Sequence, residues 1–303
     1  MAEVLVVGSV ALDSVETPFG QAREVLGGAA TYFSYAASFF TRVRLVAIIG
    51  DDFPAEHVAL LRARGVDLTG LTTTRGRTFR WTGRYGYDLN EAKTLDTQLN
   101  VFADFRPVLD GGLRKVPYVF LANIDPELQL DVVRQMAERP RLVALDTMNF
   151  WIQGKREALL AVVREVDVIT INDAEARQLA GEANLVKAAR AIAAMGPRAV
   201  VVKRGEYGAL MVADGEFFIM PAFPLESVYD PTGAGDAFAG GFMGYLASQD
   251  CFDHATMRHA MVYGSVMASF TVEDFSLDRL TRLRREEIEE RCAAFHDLVR
   301  LEG

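Results

Sequence analysis

The chain has 303 residues, half of them hydrophobic, with 32 basic against 41 acidic side chains and a formal net charge of −9. That length supplies core for one large α/β domain or one domain with a small appendage, while the acidic balance argues against a nucleic-acid surface and against adhesion to anionic lipid. Cys251 and Cys292 make neither a disulfide framework nor a zinc pattern, no stretch reaches the ~18 apolar residues of a membrane span, and no basic leader precedes an apolar run, so a cytoplasmic protein is expected.

Val4 to Val7 is a short β-branched run that reads as a buried strand ending at Gly8. Asp13 follows it, either on the side of the sheet where open α/β folds bind ligands or as a turn and capping residue. Gly27-Gly28-Ala29-Ala30-Thr31-Tyr32 opens an apolar helical stretch from Tyr32 to Phe40, and the paired glycines let a substrate lie against backbone. Tyr32 reads equally as an aromatic surface for a flat substrate or as a core residue on the helix face. Arg44 to Ile49 is a second strand, and Pro54 to Arg64 a helix stopped by Gly65. From Leu71 to Val101 no helical period survives. The alternation Thr78-Phe79-Arg80-Trp81-Thr82-Gly83-Arg84-Tyr85 predicts a small separate sheet, joined by the segment around Val15 to Val25, which would act as a lid. Arg80 and Arg84 share one phase of that alternation, and their facing is left open.

From Val116 onward strands and helices alternate, which predicts a mainly parallel sheet with helices on both faces. The strands are Val119 to Ala122, Leu142 to Leu145, Val168 to Ile171 and Ala199 to Lys203, with helices after Pro126 and over Arg156 to Val163. Asn123 and Asn149 therefore lie near strand ends, on the ligand side. Asn172-Asp173-Ala174-Glu175 has the spacing of a capping box, and Lys203 to Gly208 turns tightly into a strand over Ala209 to Val212.

Asp230-Pro-Thr-Gly-Ala-Gly-Asp236-Ala-Phe-Ala-Gly-Gly241 is the stretch around which the rest makes sense. Pro231 and Gly233 suit a turn into a helix over about Ala234 to Ala247, and the unpaired amides of Gly233, Ala234 and Gly235 would converge at its start as an anion hole. Asp236 beside such a hole either favours the positive end of its helix or acts as general base toward a hydroxyl acceptor. Helices at about Ala255 to Thr271 and Arg285 to Leu301 complete the chain. Walker A and a Gly-x-Gly-x-x-Gly after the first strand are both missing, which argues against a P-loop enzyme and a nicotinamide dehydrogenase.

Asp230 to Gly241 resembles the C-terminal signature of the PfkB (ribokinase-like) family of carbohydrate and nucleoside kinases, and the resemblance extends over the whole chain. It implies a ribokinase-like three-layer α/β sandwich with a mainly parallel central sheet, forming one kinase domain over 1–303 with a β lid built from about 12–26 and 71–104. It assigns the catalytic base to Asp236 and the anion hole to Gly233, Ala234 and Gly235. Acceptor binding falls on Asp13, Gly27, Gly28, Tyr32, Asn123 and Asn149, and nucleotide binding on Asn172, Lys203 and Gly205. Glu175 would approach Mg²⁺ through water. ATP and Mg²⁺ are implied, a monovalent cation and a homodimer through the lid are left open, and adenine would lie near His259 and Tyr263. Three departures stand out: Pro231 for the usual Thr, Tyr32 for the usual Asn, and Trp151 for the Arg of the family's Asp-Pro-Asn-x-Arg segment. The last disfavours acidic sugars. The expected acceptor is a primary hydroxyl of a sugar or ribonucleoside, and the competing expectation is a catalytically silent ligand-binding regulator on the same fold.

Overall fold

The computed structural model describes residues 2–300. Its centre is a nine-stranded sheet. β1 (Glu3–Val7) leads directly into two strands of a second sheet, β2 (Ala11–Thr17) and β3 (Gly20–Gly27). The chain then returns through α1 (Ala29–Ala37), β4 (Arg42–Gly50), α2 (Ala55–Ala63) and β5 (Asp67–Thr74), and leaves again for β6 (Phe79–Tyr85) and β7 (Ala92–Gln98). The alternating part follows: β8 (Tyr118–Leu121), α3 (Pro126–Gln135), β9 (Leu142–Asp146), α4 (Asn149–Gly154), α5 (Arg156–Val163), β10 (Val168–Asn172), α6 (Asp173–Ala180), α7 (Leu185–Ala193) and β11 (Ala199–Lys203). β12 (Ala209–Ala213) and β13 (Glu216–Met220) finish the sheet, and α8 (Ala234–Gln249), α9 (His254–Thr271), α10 (Asp278–Arg282) and α11 (Arg285–Val299) finish the described chain.

The order across the large sheet is β13-β12-β11-β10-β9-β8-β1-β4-β5. Every pairing is parallel except β11 with β12 and β12 with β13. Along β1 the side chains divide strictly by parity, as a strand covered on both faces requires. Val4 and Val6 join a core with Phe33 of α1, Phe242 of α8 and Met267 of α9. Leu5 and Val7 join the opposite core with Val132 of α3, Leu159 of α5 and Leu179 of α6. This is the expected three-layer sandwich.

The second sheet runs β3-β2-β6-β7. It is mixed, since β2 pairs parallel with β6 while the outer pairs are antiparallel. Its boundary differs from the expected one: Leu71 to Thr74 belong to β5 and pair with β4 in the large sheet, so the second half of the lid begins at Phe79. The Thr-rich run at 72–74 carries no hydrophobic alternation to say which sheet it joins; the β4 ladder decides it. The lid arginines are both ion-paired. Arg80 pairs with Glu24 and Asp52, and Arg84 with Glu16, so both are engaged by neighbouring carboxylates.

No helix among the described residues is long and apolar enough to cross a membrane.

Candidate active site

Three adjacent strands of the large sheet each place a polar residue at their carboxyl end: Asp146 on β9, Asn172 on β10 and Lys203 on β11. Lys203 Nζ lies 2.7 Å from Asp146 Oδ2, and the same oxygen accepts from Thr170 Oγ1 at 2.8 Å. The first turn of α8 sits directly over this pair, because a β-carbon added at Gly235 would come within 3.0 Å of Lys203 Nζ. The Lys203 ammonium is held by Asp146, where it faces the start of α8.

Gly233 is the N-cap of α8, at φ 76°. A side chain there is excluded twice, by the left-handed backbone and by the Tyr32 ring, which a β-carbon would approach to 2.3 Å. One part of the expected anion hole needs correction: the Ala234 amide donates to Pro231 O at 3.2 Å and closes the turn. The amides of Gly233, Gly235 and Asp236 donate to no protein acceptor among the described residues, and all three residues are partly open to solvent. They are the available donors.

Asp236 occupies the first turn of α8, deep in the protein but with one edge open. Burial pushes its carboxyl well above the ordinary carboxylate range, the Asp146 carboxylate adds to this, and the Lys203 ammonium opposes it. Glu175 closes a capping box with Asn172: Glu175 N donates to Asn172 Oδ1 at 2.8 Å, and Asn172 N donates to Glu175 Oε2 at 3.0 Å. Burial raises the Glu175 carboxyl to about 7, again with Asp146 adding to the shift.

Among the residues expected to bind an acceptor, Asp13 is 4% exposed on β2 and accepts from the Gly28 amide at 3.3 Å. A β-carbon at Gly27 would meet Asp13 Oδ2 at 1.9 Å, so this carboxylate rests on the glycine backbone. Burial raises the Asp13 carboxyl to about 7; the Gly28 amide lowers it, while Asp230 and Asp236 raise it further. A carboxyl whose folded value lies above its unfolded value near 4 binds its proton more tightly in the folded state. Its contribution to stability is full below about pH 4 and is lost as pH rises through about 7. The ligand-free melting temperature is therefore expected to fall between pH 5 and pH 8, and Asp13→Asn to flatten part of that fall in a thermal-unfolding series. An unaltered slope would remove Asp13 as a source.

Of the two readings open from sequence, Tyr32 follows the core one. Its ring is 1% exposed and packed in the core, so it offers no free face to a flat substrate. Its hydroxyl is buried, has no partner among the described residues, and lies among Asp13, Asp230, Tyr85 and Asp236, which together with burial raise its pKa. Asn123 accepts from Trp151 Nε1 at 3.0 Å, and Asn149 is exposed at the start of α4. Neither forms a side-chain hydrogen bond with Asp13 or Asp236 among the described residues. Tyr263 donates to Glu289 at 2.8 Å and stacks on Tyr245, so it belongs to the packing between helices.

A family model for the pfkB family of carbohydrate kinases matches residues 1–281. The chain belongs to that family. A cytidine kinase of Thermococcus kodakarensis is 31% identical over 247 residues, covering 80% of this chain and 88% of the relative. Solved structures share the fold. The nucleoside kinase of Methanocaldococcus jannaschii aligns with a TM-score of 0.77 at 20% identity, over 97% of this chain and 99% of that one. The aminoimidazole riboside kinase of Salmonella enterica, solved with aminoimidazole riboside and an ATP analog, aligns at 0.74 and 18%, over 96% and 99%. The pfkB membership makes this chain a sugar or nucleoside kinase. Tyr85, Thr232 and Asp146 are the site neighbours that sequence reading did not single out; the one signal available was Asp146 at a strand end.

Proposed function

We propose that the protein transfers the γ-phosphoryl group of ATP to the primary 5′-hydroxyl of a ribonucleoside, with free pentoses and hexoses as the second acceptor class to test. The observation that carries this reading is the joint position of Asp13 and Asp236. Two desolvated carboxylates stand close enough that Asp236 raises the proton affinity of Asp13, with unbonded helix-start amides beside one and a glycine-backed floor beneath the other.

In this mechanism Asp13 accepts from vicinal hydroxyls of the acceptor, and the Gly27-Gly28 backbone supports the ring. Orienting the acceptor converts an encounter into a positioned reaction. Asp236 takes the proton of the primary hydroxyl as its oxygen bonds to the γ-phosphorus and the bond to ADP breaks. The Gly233, Gly235 and Asp236 amides hold the charge on the transferred group, and Ala234 keeps the turn in shape. Lys203, whose Nζ lies 3.0 Å from where a β-carbon on Gly235 would sit, adds a fixed positive charge beneath them.

No cluster of three metal-binding side chains occurs among the described residues. That fits Mg²⁺ held mainly by phosphates and water, with Glu175 and Asn172 reached through water, because this hard cation retains several waters beside phosphates. When bound, it would neutralise charge on the nucleotide phosphates.

The nucleoside preference rests on the coverage of the cytidine kinase relative. An ADP-release screen with Mg-ATP over nucleosides, pentoses, hexoses and their phosphates tests it. Turnover is expected first with cytidine and other ribonucleosides. Turnover only with free sugars would overturn the acceptor class, and ADP release with none of them would overturn the kinase reading.

A further inference from the structure

The turn that carries the anion hole is held from two sides. Beneath it is the ring of Tyr32 against Gly233. Across it is a lid residue: Thr232 Oγ1 donates to Tyr85 Oη at 3.3 Å, joining residues 147 positions apart. Tyr85 is the last residue of β6, so its hydroxyl moves with the lid. The chain just beyond it reaches farther over the cleft, since a β-carbon at Gly205 would lie 2.0 Å from Asn90 Oδ1. The lid thus touches both the turn before α8 and the turn after β11. Thr232 is also tied inward, where its amide donates to Asp230 Oδ1 at 2.9 Å, and Asp230 is 1% exposed.

We propose that Tyr85 and Thr232 form a latch that couples lid closure to the shape of the anion-hole turn, making both positioning residues for phosphoryl transfer. With the lid closed, Tyr85 fixes Thr232, and Thr232 and Asp230 together fix the backbone that presents the Gly233 and Gly235 amides. With the lid open, that outer support is lost. Donors misplaced by a fraction of an ångström stabilise the transferred phosphoryl group less, so ATP lacking an acceptor under a closed lid would meet a poorer site. The same contact that excludes water from the acceptor then also withholds catalysis until water is excluded. This rests on the kinase reading above.

The test is a double-mutant cycle of Tyr85→Phe and Thr232→Val in the full-length protein, with cytidine and ATP as probes. The loss of one hydrogen bond of 3.3 Å predicts that each single change lowers kcat roughly two- to fivefold. The KM for ATP should stay within about twofold, the double variant should be no slower than the worse single, and Thr232→Ser should recover most of the loss. Multiplying losses, or kcat unchanged in both singles, would overturn the latch. Hydrogen exchange on the ligand-free protein judges it without turnover. Tyr85→Phe should speed exchange severalfold in the segment 230–237, and Thr232→Val should do so in 79–85. If each change disturbs only its own segment, the two are not coupled. Absence of cytidine turnover in the unmodified protein would count against the acceptor assignment alone, since the exchange result stands apart from it.

Discussion

Asp236→Asn is expected to reduce kcat by about three orders of magnitude or more while leaving the affinities for nucleotide and acceptor nearly unchanged. The substitution keeps the shape of the first turn of α8 and removes only the ability to take a proton. Binding should be read by calorimetry with a non-hydrolysable ATP analogue, since KM alone mixes binding with turnover. The same base predicts the pH profile. Burial and the nearby Asp146 carboxylate raise the Asp236 carboxyl, with Lys203 opposing, so the acid limb of kcat/KM should fall well above pH 4, where an ordinary carboxylate would place it. Near-normal turnover in Asp236→Asn would transfer the proton to another group, and no other carboxylate stands in the first turn of α8.

Lys203→Met carries the largest expected loss of stability. Asp146 is 8% and Lys203 17% exposed at their side chains, and the two meet at 2.7 Å. Removing the ammonium leaves the carboxylate buried with only Thr170 Oγ1 on the shared oxygen, and breaking a buried pair from one side costs about 3–5 kcal/mol. The same change removes the group that offsets the repulsion of Asp146 on Asp236 and Glu175. Denaturant unfolding should therefore show a markedly lower midpoint, and adding Asp146→Asn should restore much of it. A Lys203→Met protein as stable as the parent would mean that water already solvates Asp146.

The alternating half of the chain was legible because its strands are covered on both faces and read as continuous apolar runs; the predicted strand Ala199 to Lys203 and helix Arg156 to Val163 coincide with the observed elements. The small sheet was legible as a composition but not as a boundary. Polar half-exposed strands carry little register information, so Leu71 to Thr74 went to the large sheet. At the site, local signals worked where chain-neighbouring residues act together, as in the helix start at Gly233 and the capping box of Asn172 and Glu175. They failed where the partner is distant in sequence. Nothing local says that Lys203 is engaged by Asp146, 57 residues away, that Asn123 holds Trp151, or that Tyr85 reaches Thr232. Tyr32 shows both sides: its helix and its burial could be read from pattern, whereas its unpartnered hydroxyl among carboxylates exists only in three dimensions.

In the proposed mechanism the helix-start amides and the Asp236 carboxylate act on one transferred phosphoryl group. Following the label from γ-³²P-ATP with cytidine and Mg²⁺ tests it most directly, with Asp236→Asn as the control. The account predicts label in a nucleoside 5′-monophosphate with the parent protein and almost none with the variant. Label that remains in ATP or appears only as inorganic phosphate for every nucleoside and sugar offered, or label transferred equally well by Asp236→Asn, would contradict it.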